Sequence, residues 1–334
     1  MPNDISLKRL YESSQPFLSV HPGFNLDLLP DWVRENISEA RSYGGSLKGI
    51  ILPDGRKFHL DNHLNDMTGR DWTFFINSVI TTHYPSRGAE SYAHDIRKIH
   101  PTPKPPQLMR DLIQFFTKKN EIVLDAFMGV GGTLIGASLI GRRAIGVDLE
   151  RKYISAYKKA ARSLKLPVCS TFCGDSACLF KHGGKIEKAL GGEQASLLLI
   201  DPPYANMMSR LKTGADMFVY GKVATPFTKD KRDLGNMERL TFLKTLREII
   251  TDTLLLVKHK GYVVVFAKDL QPTAQNTNLL HAEIANALSE IPGLQYKGMK
   301  IWADASAKFY PYGYPFAFVA NQIHQYILIF RKEK

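Results

Sequence analysis

Leu197-Leu198-Leu199-Ile200 is a run of apolar residues with no polar alternation, and it stops at the acidic Asp201. A strand with one face in water alternates; one that does not is covered on both faces, as in a parallel sheet. Four more segments read as strands: Ile122-Val123-Leu124 closed by Asp125, Ala144-Ile145-Gly146-Val147 closed by Asp148, Val168 to Cys173, and Tyr262 to Phe266. Gln322 to Phe330 is a last one. Helical spacing fills the gaps, through Leu134 and Ile140, Tyr153 to Leu164, and Thr241 to Lys258. Strands alternating with helices predict an α/β, doubly wound, mostly parallel sheet, with ligands at the carboxyl ends of its strands.

The sheet is expected within residues 100–334. Its first helix starts at Pro105, where Leu108, Met109, Leu112, Ile113, Phe115 and Phe116 fall on one face. Residues 1–99 read as an N-terminal α+β extension broken by Tyr43-Gly44-Gly45 and Pro53-Asp54-Gly55, with a short alternating segment Lys57-Phe58-His59-Leu60. Trp72, Phe74, Phe75 and Tyr84 there either read bases or pack internally.

With 334 residues and 44% apolar composition a buried core is within reach, which excludes a disordered chain. No apolar run approaches the ~18 residues of a membrane span, and Met1 to Ser19 has no secretory signal, so a cytoplasmic protein is expected. The net charge of +12 suits a polyanion binder. Residues 1–99 carry 11 basic and 12 acidic side chains, so the excess lies in the later part. Cys169, Cys173 and Cys178 are too few for a disulfide framework. With His182 they spell a zinc-like spacing, but apolar core is the expected role, with no metal.

Two motifs carry chemistry. Asp125-Ala126-Phe127-Met128-Gly129-Val130-Gly131-Gly132-Thr133 places glycines where a backbone turns sharply against a ligand, and Asp148 at the next strand tip can accept bonds from ribose hydroxyls. Leu134 replaces the third glycine of a dinucleotide fingerprint. Asp201-Pro202-Pro203-Tyr204 offers acceptors only, because the prolines lack N–H groups, and such a pocket wants an amino group. Tyr204 adds a face on which a planar ring can stack.

Together these segments resemble the S-adenosylmethionine-dependent DNA amino-methyltransferases, which methylate adenine N6 or cytosine N4. His100-Pro101-Thr102-Pro103-Lys104-Pro105 is similar to the family's H-P-T-x-K-P segment, and Ile323 to Phe330 to its closing strand. The resemblance spans about His100 to Lys334 and implies a Rossmann-like methyltransferase domain. It implies that Thr102, Lys104, Asp125, Phe127, Gly129, Gly131 and Thr133 line the cofactor, that Asp148 binds its ribose, and that Asp175 lies beside its adenine. Asp201, Pro202, Pro203 and Tyr204 then form the reaction site, where bonds from the amine to Asp201 and the Pro202 carbonyl localise the nitrogen lone pair. The target base has to be flipped out or single-stranded.

Adenine N6 in DNA is the expected target, with cytosine N4 and guanine N2 of ribosomal RNA as alternatives. Cytosine C5 chemistry is excluded by the lack of a Pro-Cys dipeptide. A non-catalytic DNA-binding subunit of a defence complex, or a partner in a restriction system, completes the alternatives. Arg210, Lys212, Lys229, Lys231 and Arg232 follow the reaction site and are candidate DNA-phosphate contacts. Phe309-Tyr310-Pro311-Tyr312-Gly313-Tyr314-Pro315-Phe316 either borders the flipped base or packs on the sheet.

Overall fold

Burial on both faces is realised along the whole of Ala195–Ile200, where every residue is buried. Each fully buried Leu contributes roughly 1.5–3 kcal/mol relative to exposure, so such a strand belongs at a sheet's centre. The computed structural model describes residues 3–205, 227–269, 279–309, 311 and 314–334. Two compact units result, Met1–Asn77 with Gln114–Lys119, and Ser78–Ile113 with Asn120–Lys334.

The first unit is α+β. Strands β1 (Gln15–Pro16), β2 (Arg41–Tyr43), β3 (Gly49–Ile51) and β4 (Lys57–His59) pair antiparallel in that order. Phe17, Val33, Ile50, Leu52 and Phe58 form its core. The Pro53-Asp54-Gly55 turn closes through the Gly55 amide donating to the Leu52 carbonyl at 2.9 Å. Phe75 stacks on Phe115 with ring centroids 3.9 Å apart, and Trp72 packs on the same ring, whereas Phe74 is exposed.

The second unit holds eight strands: β5 (Val79–Thr82), β6 (Ile122–Asp125), β7 (Arg143–Asp148), β8 (Ser170–Cys173), β9 (Ala195–Ile200), β10 (Val257–Ala267), β11 (Leu294–Asp304) and β12 (His324–Lys332). Their order is β5-β11-β12-β10-β9-β6-β7-β8. Neighbours from β10 through β9, β6 and β7 to β8 are parallel, and β12 runs antiparallel between β10 and β11. This is the α/β, doubly wound, mostly parallel sheet. The chain moves outward from β6 to β8, then returns to β9 on the other side of β6, so a switch point opens between β6 and β9.

Helix Arg151–Ser163 covers the sheet with Tyr153, Ile154, Ala156, Tyr157, Ala160 and Ala161, while Arg151, Lys152 and Lys159 face water. Helix Pro106–Phe116 begins at the expected prolines. The expected helix from Thr241 to Lys258 is Arg239–Leu254, because the chain from Val257 already belongs to β10.

Three sheet-side elements lay outside the sequence expectations. β5 precedes residue 99 yet pairs parallel with β11, so the unit division falls after Asn77 rather than at 99. β11 carries a register shift between Tyr296 and Gly298, which breaks the alternation that would reveal it. Helix Leu280–Ser289 buries only Leu280, Ile284 and Leu288, one residue per turn.

Cys173 and Cys178 are exposed and Cys169 is half-buried, all three as free thiols, so apolar core is not the role of this cluster. His182 pairs with Glu187 at 3.2 Å. Among the described residues no group of three His, Cys, Asp or Glu side chains could hold a metal, and no helix is long and apolar enough to cross a membrane.

Gly131 marks the tightest point in the loop after β6. Its φ of +74° is left-handed, and a Cβ there would come within 2.2 Å of Tyr157 Cδ2. Gly141 has a comparable φ of +64° with open space around it. Urea denaturation should therefore find Gly131→Ala less stable by about 2–4 kcal/mol, backbone strain plus overpacking, and Gly141→Ala by only about 1 kcal/mol.

Candidate active site

The switch point holds a cavity of about 210 Å³. Its wall includes Thr102, Lys104, Asp125, Phe127, Gly129, Thr133, Asp148, Asp175, Asp201, Pro202, Pro203 and Tyr204, so residues expected from five separate segments meet in one place. Gly131 is not on the wall; it shapes the turn against Tyr157 instead. Of the basic candidates, Arg232 lines the cavity and pairs with Asp230 at 2.6 Å, whereas Lys229 and Lys231 are exposed and off the wall. Arg210 and Lys212 lie outside the described residues.

On the side of β6, β7 and β8 the wall is acidic. Asp125 Oδ1 accepts from the Phe127 amide at 3.0 Å. Asp148 accepts from the Gly129 amide at 2.8 Å and the Glu150 amide at 2.7 Å, which ties the glycine loop to the tip of β7. Asp175 caps a short helix through the Ala177 amide at 2.9 Å. Burial pushes the Asp125 carboxyl up to about 7, against the pull of the Thr133 hydroxyl and the Phe127 amide, and nearby Asp201 and Asp148 add to the rise. Burial likewise lifts Asp148 to about 6, although two backbone amides favour its charged form.

His100 closes the cavity from the proline-rich segment. Burial drives it down to about 4, so the ring is neutral at pH 7. Its Nδ1 accepts from the Thr102 amide at 3.2 Å, which leaves the proton on Nε2. The ring stacks on Phe227 at 4.9 Å and meets Tyr153 edge-on at 4.8 Å. A Cβ on Gly129 would lie 3.3 Å from His100 Nε2, so glycine at this place lets the loop approach the ring.

The corner at the end of β9 is not the acceptor-only pocket that the motif predicts. Asp201 Oδ2 pairs with Lys104 Nζ at 2.8 Å, and Oδ1 accepts from the Tyr204 hydroxyl at 2.6 Å. Lys104 also donates to Gln325 Oε1 at 2.7 Å and lies 4.8 Å from the Phe266 ring centroid. Tyr204 is only 5% exposed, so the expected stacking face is replaced by a buried ring whose hydroxyl orients Asp201; burial and the adjacent carboxylate hold that hydroxyl far above the usual phenol range.

Lys268, Gln325 and Arg97 were not among the expected residues. Lys268 lines the cavity from the end of β10, and burial, with Lys104 nearby, disfavours its charged form. Arg97 is 1% exposed and donates to the Lys104 carbonyl, pinning the proline-rich segment from behind; burial lowers it to about 10, still charged at neutral pH. Arg97 stands three residues before His100, and Gln325 lies inside the closing strand, so each had a motif beside it but no pattern of its own.

The segment before β12 does not pack on the sheet: Phe309, Tyr314, Phe316 and Phe318 are exposed. Tyr310, Tyr312 and Gly313 lie outside the described residues.

A family model described as DNA methylase, of the N6/N4 type, matches residues 56–159. The type II methyltransferase M.HinfI of Haemophilus influenzae is 41% identical over 69 residues, 21% of this chain and 19% of that one. M2.DpnII of Streptococcus pneumoniae, also a type II methyltransferase, is 42% identical over 128 residues, 38% of this chain and 39% of its own. A tRNA (guanine(10)-N2)-dimethyltransferase of Methanocaldococcus jannaschii is 36% identical over 140 residues, 40% of this chain and 37% of that one. The chain thus spans less than two fifths of each of these relatives.

The wall fits S-adenosylmethionine. Asp148 at the tip of β7 suits a ribose diol, and the acidic side as a whole suits a ligand carrying ammonium and sulfonium charge.

A positively charged ligand favours the ionised forms of Asp125 and Asp148. Both titrate above the unfolded carboxyl, so affinity should be low at pH 5.5, rise through about 6 and about 7, and level off by pH 8. Calorimetry should find S-adenosylmethionine binding on the order of tenfold tighter or more at pH 8 than at pH 5.5. Asp125→Asn should flatten the upper part of that rise.

Proposed function

We propose, from the premise that this chain belongs to the N6/N4 amino-methyltransferase family, that it methylates an exocyclic amino group of a flipped base in DNA, adenine N6 before cytosine N4. One observation carries the proposal: Asp201 ends a fully buried strand in the cavity that Asp125, Asp148 and Asp175 also line, with Lys104 and Tyr204 fixing both of its oxygens. The preference for adenine rests on the D-P-P-Y form of the motif.

S-adenosylmethionine supplies an activated methyl group when bound. The rest is done by the chain. An exocyclic amine is a weak nucleophile because its lone pair is delocalised into the ring. Each Asp201 oxygen keeps a further lone pair beyond its present bond, enough to accept an amine hydrogen. Together with the Pro202 carbonyl this favours a pyramidal nitrogen with a localised pair. The Tyr204 hydroxyl and the Lys104 ammonium hold the carboxylate in place before the amine arrives, so no reorganisation is required during reaction. The proton released after transfer leaves to Asp201 or to water.

The tRNA methyltransferase similarity favours one second reading, guanine N2 in RNA. Labelled cofactor offered to DNA and to RNA, followed by mass spectrometry of the nucleosides, separates the two. Label in N6-methyladenine or N4-methylcytosine of DNA is expected. Asp201→Ala should lower transfer by on the order of 10²-fold or more with folding intact by circular dichroism. Tyr204→Phe should cost roughly tenfold, since it loses one orienting bond while keeping the ring. Full activity in Asp201→Ala would remove the carboxylate from the mechanism.

A further inference from the structure

The cavity has two sides. Asp125, Asp148 and Asp175 stand at the ends of β6, β7 and β8 or just beyond, whereas Lys268 stands just beyond β10 and Gln325 on β12, across Asp201 from them. The acidic side suits the cationic cofactor, which leaves the β10 and β12 side for the target. That side presents donors.

Gln325 is the second residue of β12, opposite Trp302 of β11. Its carboxamide orientation follows from its neighbour. Lys104 Nζ, 2.7 Å away, is a donor only, so the amide oxygen must face it. The amide nitrogen therefore points away from Lys104, and among the described residues it has no hydrogen-bond partner. Because the same ammonium also binds Asp201 Oδ2, the carboxamide and the carboxylate are neighbours on one wall, one presenting a donor and the other an acceptor.

We infer that Gln325 reads the target base, its Nε2 hydrogens donating to the unprotonated ring nitrogen beside the reactive amine while Asp201 accepts from that amine. This rests on the proposal of amine methylation and adds a residue to it. Adenine N6 has N1 beside it and cytosine N4 has N3, both acceptors. Guanine N2 has two ring neighbours: N1–H, a donor that cannot accept from Gln325, and N3, an acceptor that meets it only if the base enters turned over. Lys104 is the positioning residue in this arrangement: it holds the carboxamide in the orientation that exposes a donor and denies the cavity the amide oxygen.

The test compares the target base with an analogue in which that ring nitrogen is C–H, 1-deazaadenine or 3-deazacytosine, placed in duplex DNA at the position identified by sequencing. The full-length wild-type enzyme should lose on the order of tenfold to a hundredfold in kcat/KM on the analogue. Gln325→Leu should lose a similar factor on the natural base and little more on the analogue, so that the two changes are not additive. This cycle cancels any intrinsic change in amine reactivity. Calorimetric affinity for S-adenosylhomocysteine should stay within about twofold in Gln325→Leu, with an unchanged melting curve, which a loss of packing would not allow.

Equal discrimination against the analogue by wild type and Gln325→Leu overturns the assignment, as does a wild type indifferent to the analogue. Methylation with undiminished kcat/KM in Gln325→Leu overturns it while leaving amine methylation standing. Absence of transfer to any nucleic acid overturns both together.

Discussion

The pairing of Asp201 with Lys104 is the constraint around which the site is built. A carboxylate at the end of a strand buried on both faces cannot be left without partners, since low-dielectric surroundings penalise an uncompensated charge more than any single neutral contact repays. Lys104 meets that need from nearly one hundred residues earlier in the chain, and the two side chains are only 11% and 18% exposed. The bond therefore joins the proline-rich segment to the end of β9. Arg97 holds the Lys104 carbonyl and His100 stacks on Phe227, so the segment is fastened on both sides of the point where it crosses the cavity.

The acidic half of the cavity obeys a different logic. Asp125 and Asp148 each accept backbone amide bonds, yet burial raises both carboxyls well above their ordinary range, aided by Asp201 and Asp148 at the first and by Asp233 and Glu150 at the second. In the ligand-free protein these groups share the neutral and ionised forms near neutral pH. A cation in the cavity favours the ionised forms of both. The preference for a positively charged cofactor is thus stored in the desolvation of the carboxylates, while shape is set by the glycine loop that their bonds hold in place.

Much of this was legible in the sequence. Apolar runs ending in Asp125, Asp148 and Asp201 mark strands whose carboxyl ends converge, and β6, β7 and β9 follow them closely, whereas β10 starts five residues before the expected Tyr262. β11 was not legible, because its register shift at Gly298 destroys the period of two. Neither was the true surface of the cavity. A motif names residues but not their partners, so Asp201-Pro202-Pro203-Tyr204 read in isolation predicts bare acceptors and an open aromatic face. Folding instead brings an ammonium from residue 104 onto one carboxylate oxygen and turns the tyrosine hydroxyl onto the other. Such long-range matches leave no local periodicity. The exposed state of Cys173 and Cys178 has a similar cause: residue type favours the core, but their places at a strand tip and on a one-turn helix do not.

For the methyl transfer proposed above, a mixed donor and acceptor corner changes the chemistry expected of the site. Were the pocket made only of acceptors, the positive charge developing on the amine would be stabilised by every group around it, and methylation would gain at each contact. With Lys104 on Asp201 and Lys268 nearby, part of that stabilisation is cancelled, and the methylated amine is left beside like charge. Burial already weakens the charged form of Lys268, which reduces the conflict on that side. In the proposed reaction the remaining repulsion would act on the protonated product more than on the neutral amine, and so would favour loss of the proton and release of the methylated base. The ammonium that orients Asp201 before reaction therefore also works against retention of the product. On the proposed function, transition-state stabilisation would be traded in part for preorganisation.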